Sequence, residues 1–147
     1  MPLQVDDQQG RWVLRLGYAG LIPFVVNALL LFLVQDDVHP YVTIALTAYA
    51  ALIASFLGGI HWGLALLESS ALRTFHLIWG VTPSLLAWIA VVMPAYAGLP
   101  VLALVLVLCY LVDRKTWPPA GLRQWMTLRF RLTVVSVLSC LFGAAAV

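Results

Sequence analysis

His61 is the one ionisable residue that falls well inside the apolar part of its span, within SFLGGIHWGLAL. An imidazole there can carry a proton, ligate a metal or donate a hydrogen bond to a quinone, and ionisable groups inside a membrane are functional candidates by default. The plainer reading is a neutral ring bonded to a carbonyl or hydroxyl, holding two helices in register. Asp113, at the end of another apolar run, and Arg129, at the start of the last one, have opposite charges and suit an interfacial ion pair closing the helices together. Arg131 is the other candidate partner for Asp113, but it lies about 200° round the helix from Arg129 and suits the headgroups better. Arg15, Glu68 and Tyr110 complete the candidate polar cluster. No metal-ligand spacing, nucleotide loop or nucleophile–base motif is present, so no metal and no cofactor is expected. Cys109 and Cys140 both lie in apolar runs and form no paired motif.

The elements that must position these groups are transmembrane helices. Of 147 residues, 63% are hydrophobic and 10% charged, with mean hydropathy +1.00. Soluble domains carry roughly 25% charged residues. The sequence predicts an all-α integral membrane bundle of five helices in one domain, over about 12–34, 41–67, 74–93, 99–112 and 128–147. On the second helix, Thr47, Ala51, Ala54, Gly58, His61, Ala65 and Glu68 recur at spacings of four and three. This seam is small or polar, while Leu, Ile, Phe and Trp occupy the other faces. Small residues let helices approach closely in lipid, so the Gly58–Gly59 pair reads as a packing device. Gly17 and Gly20 share a face with Phe24 and Asn27 on the first helix, which turns the Asn27 amide toward neighbouring helices. Arg129, Thr133, Ser136, Cys140 and Gly143 form a matching seam on the last helix. Pro23 and Pro83 each remove a backbone donor and are expected to kink their helices.

Five spans place Arg11, Arg15, Arg73, Arg114, Lys115, Arg123, Arg129 and Arg131 on one side, which is all eight basic residues. The positive-inside rule makes that side, with the N-terminus, cytoplasmic and puts the C-terminus in the periplasm. Trp117 and Trp125, in the loop following Asp113, suit a headgroup-level position. The N-terminal MPLQVDDQQGRW has neither the basic region of a secretory signal nor an Arg-rich transit segment, which points to a bacterial inner membrane. His61 lies about 9 Å inside the cytoplasmic end of its helix. By the same count His76 differs from it in depth by about 7–10 Å, and His39 lies on the other side, which argues against a bis-His haem.

GYAGLIPF, SFLGGIHWGLAL, WGVTPSLLAW, the Asp113–Arg114 pair and LRFRLT resemble an uncharacterised family that includes mitochondrial transmembrane protein 69 and its bacterial relatives. The resemblance extends over about residues 17–138 and is most specific at Gly58–Gly63. It implies a small polytopic inner-membrane protein and brings no activity, substrate or catalytic residue. Three function classes remain. Short loops and few buried charges favour a non-enzymatic scaffold, assembly or accessory component, with the lipid bilayer, another membrane protein or a second copy as partner and no nucleic acid. The alternative is a binder of, or enzyme acting on, a quinone or lipid around His61. A small transporter or channel ranks third, because no ionisable group accompanies the mid-span prolines.

Overall fold

The computed structural model describes residues 7–67 and 71–147; Glu68 lies outside them. All of its regular structure is helical: α1 Gln8–Ala19, α2 Ile22–Leu33, α3 His39–Leu67, α4 Arg73–Val92, α5 Ala95–Thr116 and α6 Met126–Ala146, with a 3-10 turn at Arg123–Trp125 before α6. Five segments are long and apolar enough to cross a membrane, the first formed by α1 and α2 together. The spans run alternately up and down. The start of α1, the α3–α4 turn and the α5–α6 loop share one end, called here the basic end because it carries every Lys and Arg. At the opposite end, His39 Nε2 lies 3.1 Å from the carbonyl oxygen of Ala146, tying the start of α3 to the end of α6.

Many large apolar side chains point outward, and small residues are prominent inside, the arrangement that lipid rewards. Phe32, Ile44, Leu52, Phe56, Leu66, Trp88 and Phe142 are exposed, while Ala50, Ala54, Ala87, Ala90, Leu99, Leu102, Cys109 and Cys140 form the core. Helix α3 is the hub, packing against α2, α4, α5 and α6. Its closest neighbour is α4. A Cβ added to Gly58 would collide with the carbonyl oxygen of Gly80, and one added to Gly80 would stand 2.9 Å from the carbonyl oxygen of Gly58. Trp62 Nε1 donates to the Leu77 carbonyl one turn further along, at 2.9 Å. Ala54, Gly58, His61 and Ala65 are buried, as is the whole α6 seam from Arg129 to Gly143.

Several local features differ from the sequence reading. The expected kink at Pro23 is a break: α1 ends at Ala19 and α2 restarts at Ile22, with Pro23 in its first turn, where a missing N–H costs nothing. Tyr49 Oη on α3 donates to the Gly20 carbonyl in that break at 2.6 Å. Asn27 turns back to donate to Pro23 O on its own helix at 2.8 Å instead of reaching a neighbour. Helix α4 runs through Pro83, which is buried against Gly58. Helix α5 begins at Ala95, not near residue 99, and carries Pro100 inside it. Gly17 packs α1 against Leu128 and Leu132 of α6. Gly59, by contrast, faces away from the bundle, with open space where a Cβ would stand.

Candidate functional site

Near the basic end, four helices each contribute to one buried chain of polar side chains. His61 of α3 lies 2.7 Å through Nε2 from Asp113 Oδ1 of α5, and 2.8 Å through Nδ1 from His76 Nδ1 of α4. Asp113 Oδ2 accepts from Arg129 Nε of α6 at 2.9 Å. Arg129 Nη1 donates to Thr133 Oγ1 at 2.6 Å, and that hydroxyl donates to the Arg129 carbonyl at 2.8 Å. His61, His76, Asp113, Arg129 and Thr133 are all at most 7% exposed.

The bonding pattern orders the protons. Paired with a guanidinium, the Asp113 carboxylate only accepts, so His61 Nε2 carries a hydrogen. A neutral His61 then accepts at Nδ1, and His76 donates from its own Nδ1. Arg129 and Asp113 balance each other's charge. A buried charge pair with this much supporting hydrogen bonding is the kind that lipid and protein interior tolerate. At 2.8 Å the two Nδ1 atoms of His61 and His76 are within hydrogen-bonding distance.

The sequence-based depth difference between His61 and His76 is therefore overturned. The antiparallel register that sets Gly58 beside Gly80 also sets His61 beside His76, one turn nearer the basic end. The signal was present as G-x-x-H on α3 mirrored by H-x-x-x-G on α4. Arg15 and Tyr110 are not part of the array. Arg15 is exposed, its guanidinium 5.9 Å from the centre of the Trp12 ring. Tyr110 packs on Phe130 with ring centres 5.7 Å apart. Arg131 is exposed and donates to Tyr18 Oη at 3.1 Å.

Trp117 and Trp125 pack against the protein itself. Both are buried, packed with Leu128 beneath the α5–α6 loop. Pro118 and Pro119 stop α5, Gly121 takes the left-handed conformation at φ 83°, and Leu122 N–H donates to Trp117 O at 3.0 Å. The chain so reverses and folds the indole inward, with the Arg129 guanidinium 5.9 Å from its ring centre. No signal short of the loop's course marks Trp117 as part of the site.

Beside the array lies a half-open cavity of about 470 Å³, bordered by α1, α2, α3, α6, Leu106 of α5 and the α5–α6 loop. Its wall is apolar along Leu16, Phe24, Leu57 and Ile60, and polar along Arg129, Thr133 and Ser136 of the α6 seam. Among the described residues, two buried side-chain nitrogens have no hydrogen-bond partner, Arg129 Nη2 and Trp117 Nε1, and both belong to side chains lining this cavity.

Comparison with known proteins agrees with this architecture. Residues 10–145 match the family described as Protein of unknown function (DUF3429). Transmembrane protein 69 of Xenopus tropicalis is 41% identical over 134 residues, covering 86% of this chain and 51% of the relative. Transmembrane protein 69 of Mus musculus is 37% identical over 75 residues, covering 50% of this chain and 30% of the relative. The chain thus spans about half the length of the frog relative and less of the mouse one. No solved structure matches it. The chain belongs to the DUF3429 family, the multi-pass membrane family that includes transmembrane protein 69.

Proposed function

We propose that the protein binds a membrane-soluble small molecule in the cavity between α1, α2, α3 and α6, with Arg129 and Trp117 at its polar end. The observation that carries this reading is the cleft itself, apolar along Leu16, Phe24, Leu57 and Ile60 and edged on one side by Arg129, Thr133 and Ser136 beside the buried array. The rest of the array supports the same reading. A histidine that merely kept two helices in register needs one bond, whereas His61 uses both nitrogens to join His76 to Asp113 and hold Arg129 at the cavity. An accessory or scaffolding role would need no such array. The volume falls within the range of about 300–1,000 Å³ usual for small-molecule sites.

The basic end, by the positive-inside rule, is proposed to face the cytoplasm, which sets the cavity in the cytoplasmic leaflet. The test is purification in mild detergent with mass spectrometry of co-purifying small molecules. Leu132→Trp, at a half-buried position of the cavity wall, fills the space with an indole. A molecule retained by the wild type and lost from monodisperse Leu132→Trp protein is the expected result. Equal retention by both proteins would remove the cavity from the reading.

A further inference from the structure

We infer that the cleft takes an acyl chain of an anionic membrane phospholipid, whose phosphate lies on the basic end beside Arg123. The inference rests on the ligand-site reading above and deepens it by naming the class of molecule.

The shape of the cleft is the first ground. It starts under the α5–α6 loop at Leu122 and Trp125, at the basic end. From Ile60 to Ile53 on α3, and from Arg129 to Ser136 on α6, its walls extend about 10 Å along the helices. Leu16 of α1 and Phe56 of α3 line it and are exposed, so it opens sideways between those helices. A groove that runs along the helices and opens sideways to the bilayer suits a lipid tail, which enters without leaving the membrane.

The polar groups of the wall are the second. Arg129 Nε and Nη1 are bonded to Asp113 and Thr133, and Nη2 is covered, as is Trp117 Nε1. The Thr133 hydroxyl hydrogen goes to Arg129 O, and that of Ser136 to Thr133 O at 3.0 Å. The wall so offers no free side-chain donor to a polar ring, and the part of the ligand seated in it is apolar.

Charge at the mouth is the third. Arg123 is exposed in the turn between Leu122 and Trp125, which line the cleft. Arg15, Arg73, Arg114, Lys115 and Arg131 are exposed at the same end. The described carboxylates there are engaged: Asp7 accepts from the Gly10 N–H, and Asp113 pairs with Arg129. Each basic residue at a membrane surface favours anionic lipid by about fivefold. The headgroup that meets this end is therefore anionic.

The protein in a maltoside detergent would be titrated with didecanoyl phosphatidylglycerol, with didecanoyl phosphatidylcholine and with a decyl-substituted benzoquinone. Binding is read by native mass spectrometry, with monodisperse Leu132→Trp or Ile53→Trp protein, altered on different walls, as the blocked reference. The expected result is saturable binding of phosphatidylglycerol, at least threefold tighter than phosphatidylcholine and lost from the blocked reference. Arg123→Gln, at an exposed position, should weaken phosphatidylglycerol about fivefold and leave phosphatidylcholine unchanged. Equal affinity for the two phospholipids would overturn the anionic headgroup. Unchanged phosphatidylglycerol affinity in Arg123→Gln would overturn the placement of the phosphate. Tighter binding of the benzoquinone than of either phospholipid would overturn the acyl-lipid inference and leave a ligand site standing. No saturable binding of any probe, or equal binding by the blocked reference, would overturn the ligand-site reading together with the inference.

Discussion

Two adjacent glycines make opposite predictions when each is changed to alanine. A Cβ on Gly58 would overlap the Gly80 carbonyl oxygen and stand 3.2 Å from its carbon, both backbone atoms of α4 that cannot rotate away. Relieving that overlap requires α3 and α4 to part by about 1 Å, since carbon contacts are favourable at about 3.5–4.0 Å. The same parting acts on the two bonds that cross this interface nearby. The His61–His76 contact at 2.8 Å and the Trp62–Leu77 contact at 2.9 Å would both stretch beyond hydrogen-bonding range. Gly58→Ala should therefore lose about 1–3 kcal/mol through overpacking and broken bonds. Gly59→Ala meets nothing within 4 Å and gains helix propensity, so it should be neutral or stabilising by up to about 1 kcal/mol. Denaturant titration in a fixed detergent, followed by tryptophan fluorescence, measures both. If Gly58→Ala were as stable as Gly59→Ala, the close α3–α4 contact would not exist and the His61–His76 pairing that depends on its register would fall with it.

Asp113→Asn strands the buried Arg129 charge and Arg129→Gln strands that of Asp113, so each should cost about 3–5 kcal/mol, with the double variant recovering part of the loss. Additivity of the two within about 0.5 kcal/mol would mean that the residues do not interact. Tyr49→Phe keeps the edge-on contact with Phe24 but leaves the Gly20 carbonyl without its bond; a loss of about 0.5–1.5 kcal/mol and faster amide exchange around the α1–α2 break are expected in thermal and hydrogen-exchange measurements. For topology, a cysteine replacing exposed Lys115 should react with a membrane-impermeant thiol reagent only after the cells are opened, and one at Val147 should react in intact cells. Labelling of both positions under the same condition would contradict the odd number of spans.

How far the chain could be read without its fold is clearest on α3. Ala54, Gly58, His61 and Ala65 repeat at helical spacing, and lipid leaves a polar or small stripe one place to go, so their burial followed from periodicity alone. The same argument holds for Arg129, Thr133, Ser136, Cys140 and Gly143 on α6. The clustering of all basic residues at one end needed only the span count. Gly59 shows the limit: its neighbour is buried and it is not, because one residue along a helix is about 100° of rotation and the pair could not both face α4.

Composition and periodicity determined the membrane class, the five spans and the inward faces, because a bilayer forces backbone hydrogen bonds within each helix and sorts side chains by size and polarity. The tertiary structure decided which groups meet. The partnership of His61 with His76 depends on the register between α3 and α4, which a few residues at a turn can shift by a full helical turn. The burial of Trp117 depends on where the α5–α6 loop reverses. The cavity beside Arg129 depends on the break that lets α1 and α2 border it. Each is a relation between segments distant in sequence, and only close packing of the whole bundle settles it.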